Sequence, residues 1–490
     1  MNAFARILDW PADPRDALPL ALWDAQAIAA ATGGVAHGEF QVAGVEIDSR
    51  DVVAGDLFFA LKGEAMDGHK FVADALAKGA IAAVVDRPVE GPHVLVADTA
   101  RALERLAKAS RERSAARIVG VTGSVGKTGV KEALFAALER SSRGAAHRSV
   151  KSYNNHVGVP LSLARMSARA KFGVFEIGMN HAGEIAALTA QVRPHVAVIT
   201  TIAPAHIENL GSEEAIADAK AELFRGLEPD GIAIIPADSP HFARLKEAAQ
   251  RHTDAVVSFG RAPHADVRLL DAVAAPGGGS LITADLADRR LCYTVAAPGD
   301  HWIANSLCVM AAVRAAGGDL GAAGLALAEM EGLKGRGARH RIAARGGTAL
   351  LIDESYNANP ASMRATLAQL GTTPARRRIA VLGAMKELGE FGPAFHAALA
   401  EPLRAAGIDQ AILVGEEMRA LANMLGADEL GTAPRSALGK PLRFAHCDSP
   451  DAALEALREV GVEDGDAILV KGSNSVGLGA LVAKLTATRD

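Results

Sequence analysis

Short apolar runs alternate with helix-length segments along most of this chain, and that alternation constrains the fold more than any other feature. Between residues 117 and 260, RIVGVTG, FGVFEIG, HVAVITTI, GIAIIPA and AVVSFG read as strands. KEALFAALER, HAGEIAALTAQV, SEEAIADAKAELFRGL and HFARLKEAAQRH read as the helices between them. A strand that is apolar on both faces must be covered on both faces. The pattern therefore predicts an α/β fold with a mostly parallel sheet between helical layers.

At 490 residues the chain exceeds a single core. Residues 1–97 predict a smaller α/β domain, with VEIDSR, DLFFALKG and IAAVVD as strands and FVADALAKGA as a helix. Residues 98–335 open with a helix over 100–112 and run through the strands above. At 266–297 this segment changes to short alternating strands with a glycine turn at 277–279, an antiparallel appendix, before helices over 301–316 and 320–330. Residues 336–490 alternate again, with TALLIDES, RRIAVLGA, QAILVGE and DAILVKGS as strands, and predict a second, Rossmann-like doubly wound domain. The Gly/Arg-rich stretch 332–341 reads as a hinge.

A formal net charge of −5 argues against a nucleic-acid binder, which needs a basic stripe to displace counterions. Arg376, Arg377 and Arg378 read as the solvated end of an element. No apolar run reaches the roughly 18–20 residues of a membrane helix. MNAFARILDWPADPRD lacks an apolar signal core, so a cytoplasmic location is expected. Cys292, Cys308 and Cys447 lack metal-ligand or CxxC spacing and read as buried small hydrophobes in a reducing compartment.

VTGSVGKTG, at residues 121–129, joins a strand to a helix. Backbone N–H groups of Gly123, Ser124, Val125 and Gly126 would form an anion nest, helped by the helix dipole. Lys127 would reach terminal phosphates and the Thr128 hydroxyl would ligate Mg²⁺. The glycines stand at 120, 123 and 126, which departs from the common phosphate-loop spacing. Glu176 and His206 end later strands of the same segment, where open sheets bind ligands, and such side chains can hold divalent cations. Singly, each also reads as an ordinary loop residue. Lys220, in ADAKAELF, reads on its own as a snorkelling surface lysine. Asp353 ends a strand ahead of Tyr356, Asn357, Asn359 and Pro360; this is a second ligand surface or a turn with Asx caps.

Together these residues resemble the Mur ligase family, the ATP-dependent amino-acid ligases of bacterial cell-wall synthesis. The family's loop reads T-G-x-x-G-K-T, which matches residues 122–128, and Glu176, His206, Asn305, Arg336 and Asp353 occur in its order. The resemblance spans the chain in three domains: UDP-sugar-binding, P-loop ATP-binding and Rossmann-like. DSRDVVAGDLFFALKGEAMDGHKF, APAHIENLGS, AKAELF and DESYNANPASM are similar to the branch that joins D-alanyl-D-alanine to UDP-N-acetylmuramoyl-tripeptide. The D-N-P-R tetrapeptide that the branch adding the third residue often carries does not occur in this sequence.

The resemblance implies that Lys127 contacts the β- and γ-phosphates of ATP, that Thr128 and Glu176 serve its Mg²⁺, and that His206 helps hold a second Mg²⁺. It implies a carbamylated Lys220, His301 and Asn305 near the adenine, Arg336 on phosphate and Asp353 on ribose. Ser49, Arg50, Asn154 and Asn155 would contact the UDP-sugar. A monomer is expected. Trp302, after His301, stands where the family often has asparagine, and Asn474 where arginine is common. The implied chemistry is an acyl phosphate attacked by an amine, with the third domain closing about 332–341 to exclude water. Alternatives are a Mur ligase adding a different amino acid, a P-loop phosphotransferase and a non-catalytic nucleotide-binding protein.

Overall fold

The computed structural model describes residues 21–63, 66–275, 278–330, 332–429 and 442–487. MNAFARILDWPADPRD and Gly277 of the expected glycine turn lie outside the described residues. Two compact units divide the chain. One runs through Arg117 and includes Ala145–Phe175; the other comprises Ile118–Gly144 and continues from Glu176.

In the first unit, five strands run in the order Val35–His37, His93–Leu95, Ala82–Val85, Asp56–Phe59 and Gly44–Glu46. All pairs are parallel except the first. Asp56–Phe59 and Ala82–Val85 are buried at every position, as strands covered on both faces must be. The strand expected through residue 50 stops at Glu46. There the Glu46 carboxylate accepts the N–H groups of Ile47 (2.9 Å) and Asp48 (3.3 Å), and Asp48 accepts that of Arg50 (3.0 Å). Side chains that satisfy nearby backbone donors compete with a strand ladder. Trp23 donates its indole N–H to Ala164 (2.9 Å) beneath the Arg113 guanidinium, which anchors the helix Gly158–Ala164.

In the second unit, Val267–Ala274, Val256–Gly260, Ile232–Pro236, Val196–Ile199 and Arg117–Thr122 lie side by side and parallel. The appendix is real. Ser280–Asp285 and Arg290–Val295 continue the same sheet antiparallel from Val267–Ala274. Cys292 lies on this edge and is exposed, contrary to expectation, because its face of the edge strand is open to water; Cys308 is buried and Cys447 partly so.

Six further strands run in the order Ala338–Ala344, Gly347–Glu354, Ala467–Lys471, Arg378–Gly383, Gln410–Val414 and Arg443–Cys447. Only the first pair is antiparallel. Its hairpin corrects the sequence reading. Residues 338–341, expected in a hinge, pair with the strand bearing Asp353. Arg377 and Arg378 are not merely solvated: Arg377 forks onto the buried Asp466 carboxylate (2.6 Å), and Arg378 donates to Leu370 and Thr373 carbonyls. Among the described residues, no helix is long and apolar enough to cross a membrane.

Candidate active site

The strand Arg117–Thr122 ends in a loop that enters the 16-residue helix Lys127–Ser142. Gly123 (φ 149°) and Gly126 (φ 89°) adopt backbone angles that favour glycine. A Cβ at Gly123 would fall 1.9 Å from Thr200 Oγ1, and one at Gly126 would fall 2.9 Å from Asn305 Oδ1. The loop is also tied down elsewhere. Ser124 N–H donates to the Thr201 carbonyl (2.8 Å), and Ser124 Oγ donates to Ala203 (2.8 Å). Thr200 Oγ1 donates to the Val125 carbonyl (2.6 Å). The Ser124 N–H, expected in the anion nest, is thus spent on Thr201; the fixed loop still sets the positive end of a long helix beside it, which suits a phosphate.

Lys127 is the first helical residue, and its Nζ donates to the Gly123 carbonyl at 2.7 Å. Burial pushes its pKa down; Glu176 and Glu387 oppose this, whereas the Arg336 guanidinium reinforces it. Thr128 Oγ1 donates to Glu176 Oε2 at 2.9 Å, both residues being buried. Glu176 ends the strand Phe172–Glu176, and the next N–H, of Ile177, donates to Val121 (2.9 Å). That bond sets the carboxylate beside the loop.

His206 caps the short helix Ile207–Leu210 with φ 60°, a conformation non-glycine residues rarely hold. Its Nδ1 is buried, 2.5 Å from Glu387 Oε2, without the alignment of a hydrogen bond. Hard oxygen donors, with an imidazole that has a second nitrogen besides the one facing Glu387, are donor types that suit a divalent cation.

Lys220 overturns its surface reading. The α-helix Glu213–Ala221 tightens to a 3₁₀ turn just beyond it, and the side chain is 2% exposed. Burial, reinforced by Lys127, drives its pKa well below that of an ordinary lysine. A neutral amine is the form that adds carbon dioxide.

His301 and Asn305 lie one turn apart on the helix Asp300–Ala315, so the helix that packs Asn305 on Gly126 also aims His301. Burial lowers the His301 pKa, opposed by Glu354. Trp302 packs its indole on Gly129 in the first turn of the phosphate-loop helix. Arg336 stacks its guanidinium 4.4 Å from the Tyr356 ring centroid. Asp353 is buried and accepts from Gly335 N–H (2.8 Å) and Ser355 Oγ (2.6 Å), so it holds the turn that presents Arg336. Asn359 caps the helix Pro360–Thr372 in a capping box with Ser362. Asn474 is exposed.

The second unit thus gathers Lys127, Thr128, Glu176, His206, Lys220, Asn305 and Arg336 around one loop. Ser49, Arg50, Asn154 and Asn155 belong to the first unit. There Ser49 is buried and its carbonyl accepts from Lys78 (3.0 Å); Arg50 pairs with Asp48 (2.6 Å). Asn155 Oδ1 accepts from Gly158 N–H (2.9 Å). A cavity of about 430 Å³ in that unit is lined by Asp51, Lys151 and Tyr153, among others. Sequence reasoning missed Thr200, Glu387 and the buried Lys471, whose Nζ donates to the Asn357 carbonyl (2.9 Å). Glu387 and Lys471 were findable, because each lies at or just beyond the carboxyl end of a strand already identified.

Three family models match: the Mur ligase family catalytic domain over residues 41–113, the Mur ligase middle domain over 121–313, and the Mur ligase, glutamate ligase domain over 339–474. A UDP-N-acetylmuramoyl-tripeptide–D-alanyl-D-alanine ligase from Synechocystis is 38% identical over 450 residues, covering 90% of this chain and 91% of that one. The chain belongs to the Mur ligase family. ATP-dependent amide-bond formation is therefore its class of reaction. The fold agrees: the crystal structure of MurF from Acinetobacter baumannii superposes with a TM-score of 0.79 at 30% identity, covering 96% of this chain and all of that one. MurF ligase from Thermotoga maritima, in complex with ADP, gives 0.71 at 26% identity, covering 91% and 97%. The mixed α/β fold with mostly parallel sheets expected from the alternation is the Mur ligase fold.

Proposed function

We propose that the chain joins D-alanyl-D-alanine to UDP-N-acetylmuramoyl-tripeptide, converting ATP to ADP and phosphate and yielding the pentapeptide precursor of peptidoglycan. The observation that carries this reading is the phosphate loop with Thr128 and Glu176 in contact behind it (2.9 Å) and Arg336 and Glu387 of the C-terminal sheet within electrostatic reach of Lys127. The similarity to D-alanyl-D-alanine ligases supports the choice of acceptor.

A carboxylate is a poor electrophile toward an amine. In this reading an oxygen of the tripeptide's terminal carboxylate attacks the γ-phosphorus of ATP, and the bond to ADP breaks. The loop N–H groups, Lys127 and Arg336 offset the charge on the phosphoryl oxygens, which is most of what phosphoryl transfer asks of a protein. Thr128, Glu176 and His206 would hold Mg²⁺, which supplies further neutralisation of phosphate charge when bound. The dipeptide's amine, having lost a proton, then attacks the acyl carbon. The tetrahedral adduct gives an N–H proton to solvent and collapses by expelling phosphate, leaving the new amide. Lys220, whose burial disfavours the charged amine, would carry a carbamate that adds an anion to this region. His301 and Asn305 would face adenine, and Asp353 the ribose side. The first unit, with Ser49, Arg50, Asn154 and Asn155, would take the UDP-sugar. The enzyme acts as a cytoplasmic monomer in this reading, its three domains spanning 1–97, 98–335 and 336–490.

The test is phosphate release from ATP with UDP-N-acetylmuramoyl-tripeptide, with and without D-alanyl-D-alanine, products being weighed by mass spectrometry. A pentapeptide formed only with the dipeptide is expected. Phosphate release without that product would refute the acceptor, and no turnover despite ATP binding would refute catalysis.

A further inference from the structure

Glu387 lies outside every motif the sequence singles out, yet through it the C-terminal sheet meets His206. It comes after the strand Arg378–Gly383 in a loop held by two other elements. Met385 N–H donates to the buried His396 Nε2 (2.9 Å), and Lys386 N–H donates to Ser473 Oγ (3.0 Å). The loop in turn grips the segment after His206. Glu208 N–H points at the Glu387 carbonyl (3.4 Å), and a Cβ on Gly389 would fall 2.9 Å from Glu208 Cγ. His206 (φ 60°) and Glu387 (φ 64°) both hold left-handed backbone, which persists for such residues only where surrounding contacts impose it. The two strained residues put Oε2 of one 2.5 Å from Nδ1 of the other.

An imidazole has two nitrogens, and the one that binds a cation is set by what the other is bonded to. A carboxylate on Nδ1 keeps the proton there and leaves the Nε2 lone pair for a cation. We propose that Glu387 is a positioning residue: by setting its carboxylate 2.5 Å from Nδ1 of His206 it leaves Nε2 for a divalent cation, so that cation binding and docking of the C-terminal sheet are linked. This rests on His206 being a cation ligand, as in the function proposed above. Linkage is reciprocal, so the cation must also tighten the Glu387 loop against the central sheet.

The test uses the full-length protein with Mn²⁺ as the probe and saturating ADP, bound Mn²⁺ being counted by electron paramagnetic resonance. Glu387→Ala should weaken Mn²⁺ binding about 10- to 100-fold, the usual size for losing a residue that orients a metal-binding histidine. Glu387→Gln keeps an acceptor without the charge and should fall between the parent and Glu387→Ala. ADP affinity without metal should hold within about two-fold. In the parent, Mn²⁺ should slow hydrogen exchange over residues 384–391; in Glu387→Ala it should not. A parent that binds no Mn²⁺, or a folded Glu387→Gln and Glu387→Ala pair with parental Mn²⁺ affinity, overturns the proposal. So does an equal loss of metal-free ADP affinity, which would mean a general collapse of the cleft. If Glu387→Ala does not fold, Glu387→Gln decides alone. Pentapeptide synthesis by the parent is scored separately. Its absence, with Glu387-dependent Mn²⁺ binding, would sink the proposed function and leave this proposal standing, and the converse pattern would do the reverse.

Discussion

Replacing Gly123 by alanine tests whether the phosphate loop is held by close packing on Thr200. The new Cβ would lie 1.9 Å from Thr200 Oγ1 and 3.1 Å from Thr200 Cβ, at φ 149°. Thr200 has little room to retreat: its N–H donates to Thr122 (2.9 Å) and its hydroxyl to Val125 (2.6 Å). Overpacking costs about 1–3 kcal/mol, the strained backbone about 1–2, and a displaced hydroxyl bond about 1. Gly123→Ala should therefore cost about 3–6 kcal/mol, a large part of a typical domain's stability. Thr200→Ala alone should cost about 1–2 kcal/mol. If the hydroxyl is what the methyl strikes, the double variant should be about 1–2 kcal/mol more stable than the two costs summed. Urea unfolding of all four proteins gives the cycle. Additivity within about 0.5 kcal/mol would refute the packing argument, as would a Gly123→Ala cost below about 1 kcal/mol.

Further predictions concern other groups. Burial pulls the His147 pKa to about 4, although its ring nitrogen lies 2.7 Å from the Ser162 carbonyl. The unfolded chain then binds the extra proton between about pH 6.5 and 4, so stability should fall by at most about 3 kcal/mol as pH drops through that window. His147→Gln should flatten the dependence; an unchanged slope in pH-resolved denaturation would count against it. Lys220 in its carbamylated form should make activity fall in carbon-dioxide-depleted buffer and return with bicarbonate. A Lys220→Arg variant that responds equally would exclude that site. Arg377→Met should destabilise by about 3 kcal/mol by stranding the buried Asp466 carboxylate, and Arg377→Met/Asp466→Leu should recover much of it in thermal melts.

Much of the site was legible because a parallel sheet places chemistry at predictable ends of strands. The loop at 121–129, Glu176 after GVF and Asp353 after LLI all emerge from inspecting the residues at the carboxyl end of an apolar run. The same inspection of RRIAVLGA and DAILVKGS reaches Glu387 and Lys471. Lys220 was not legible from its helix. Nothing in ADAKAELF reveals which face is buried, because that depends on what packs against it. The strand Ala338–Ala344 hid behind its charge. GARHRIAA looks like a polar hinge until its hydrogen-bonding partner, Gly347–Glu354, is known.

Periodicity by itself pointed to the α/β layering, and the local glycine-lysine motif and the strand ends to the phosphate loop and the polar residues beyond the strands, because burial on both faces demands apolar strands and phosphate favours a loop at a helix N-terminus. Tertiary structure alone decided which of those residues meet. Thr128 reaches Glu176 across 48 positions of sequence, and His206 meets Glu387 from another sheet. Only the packed chain brings those atoms within bonding distance, and only burial changes what Lys220 and His147 do with a proton.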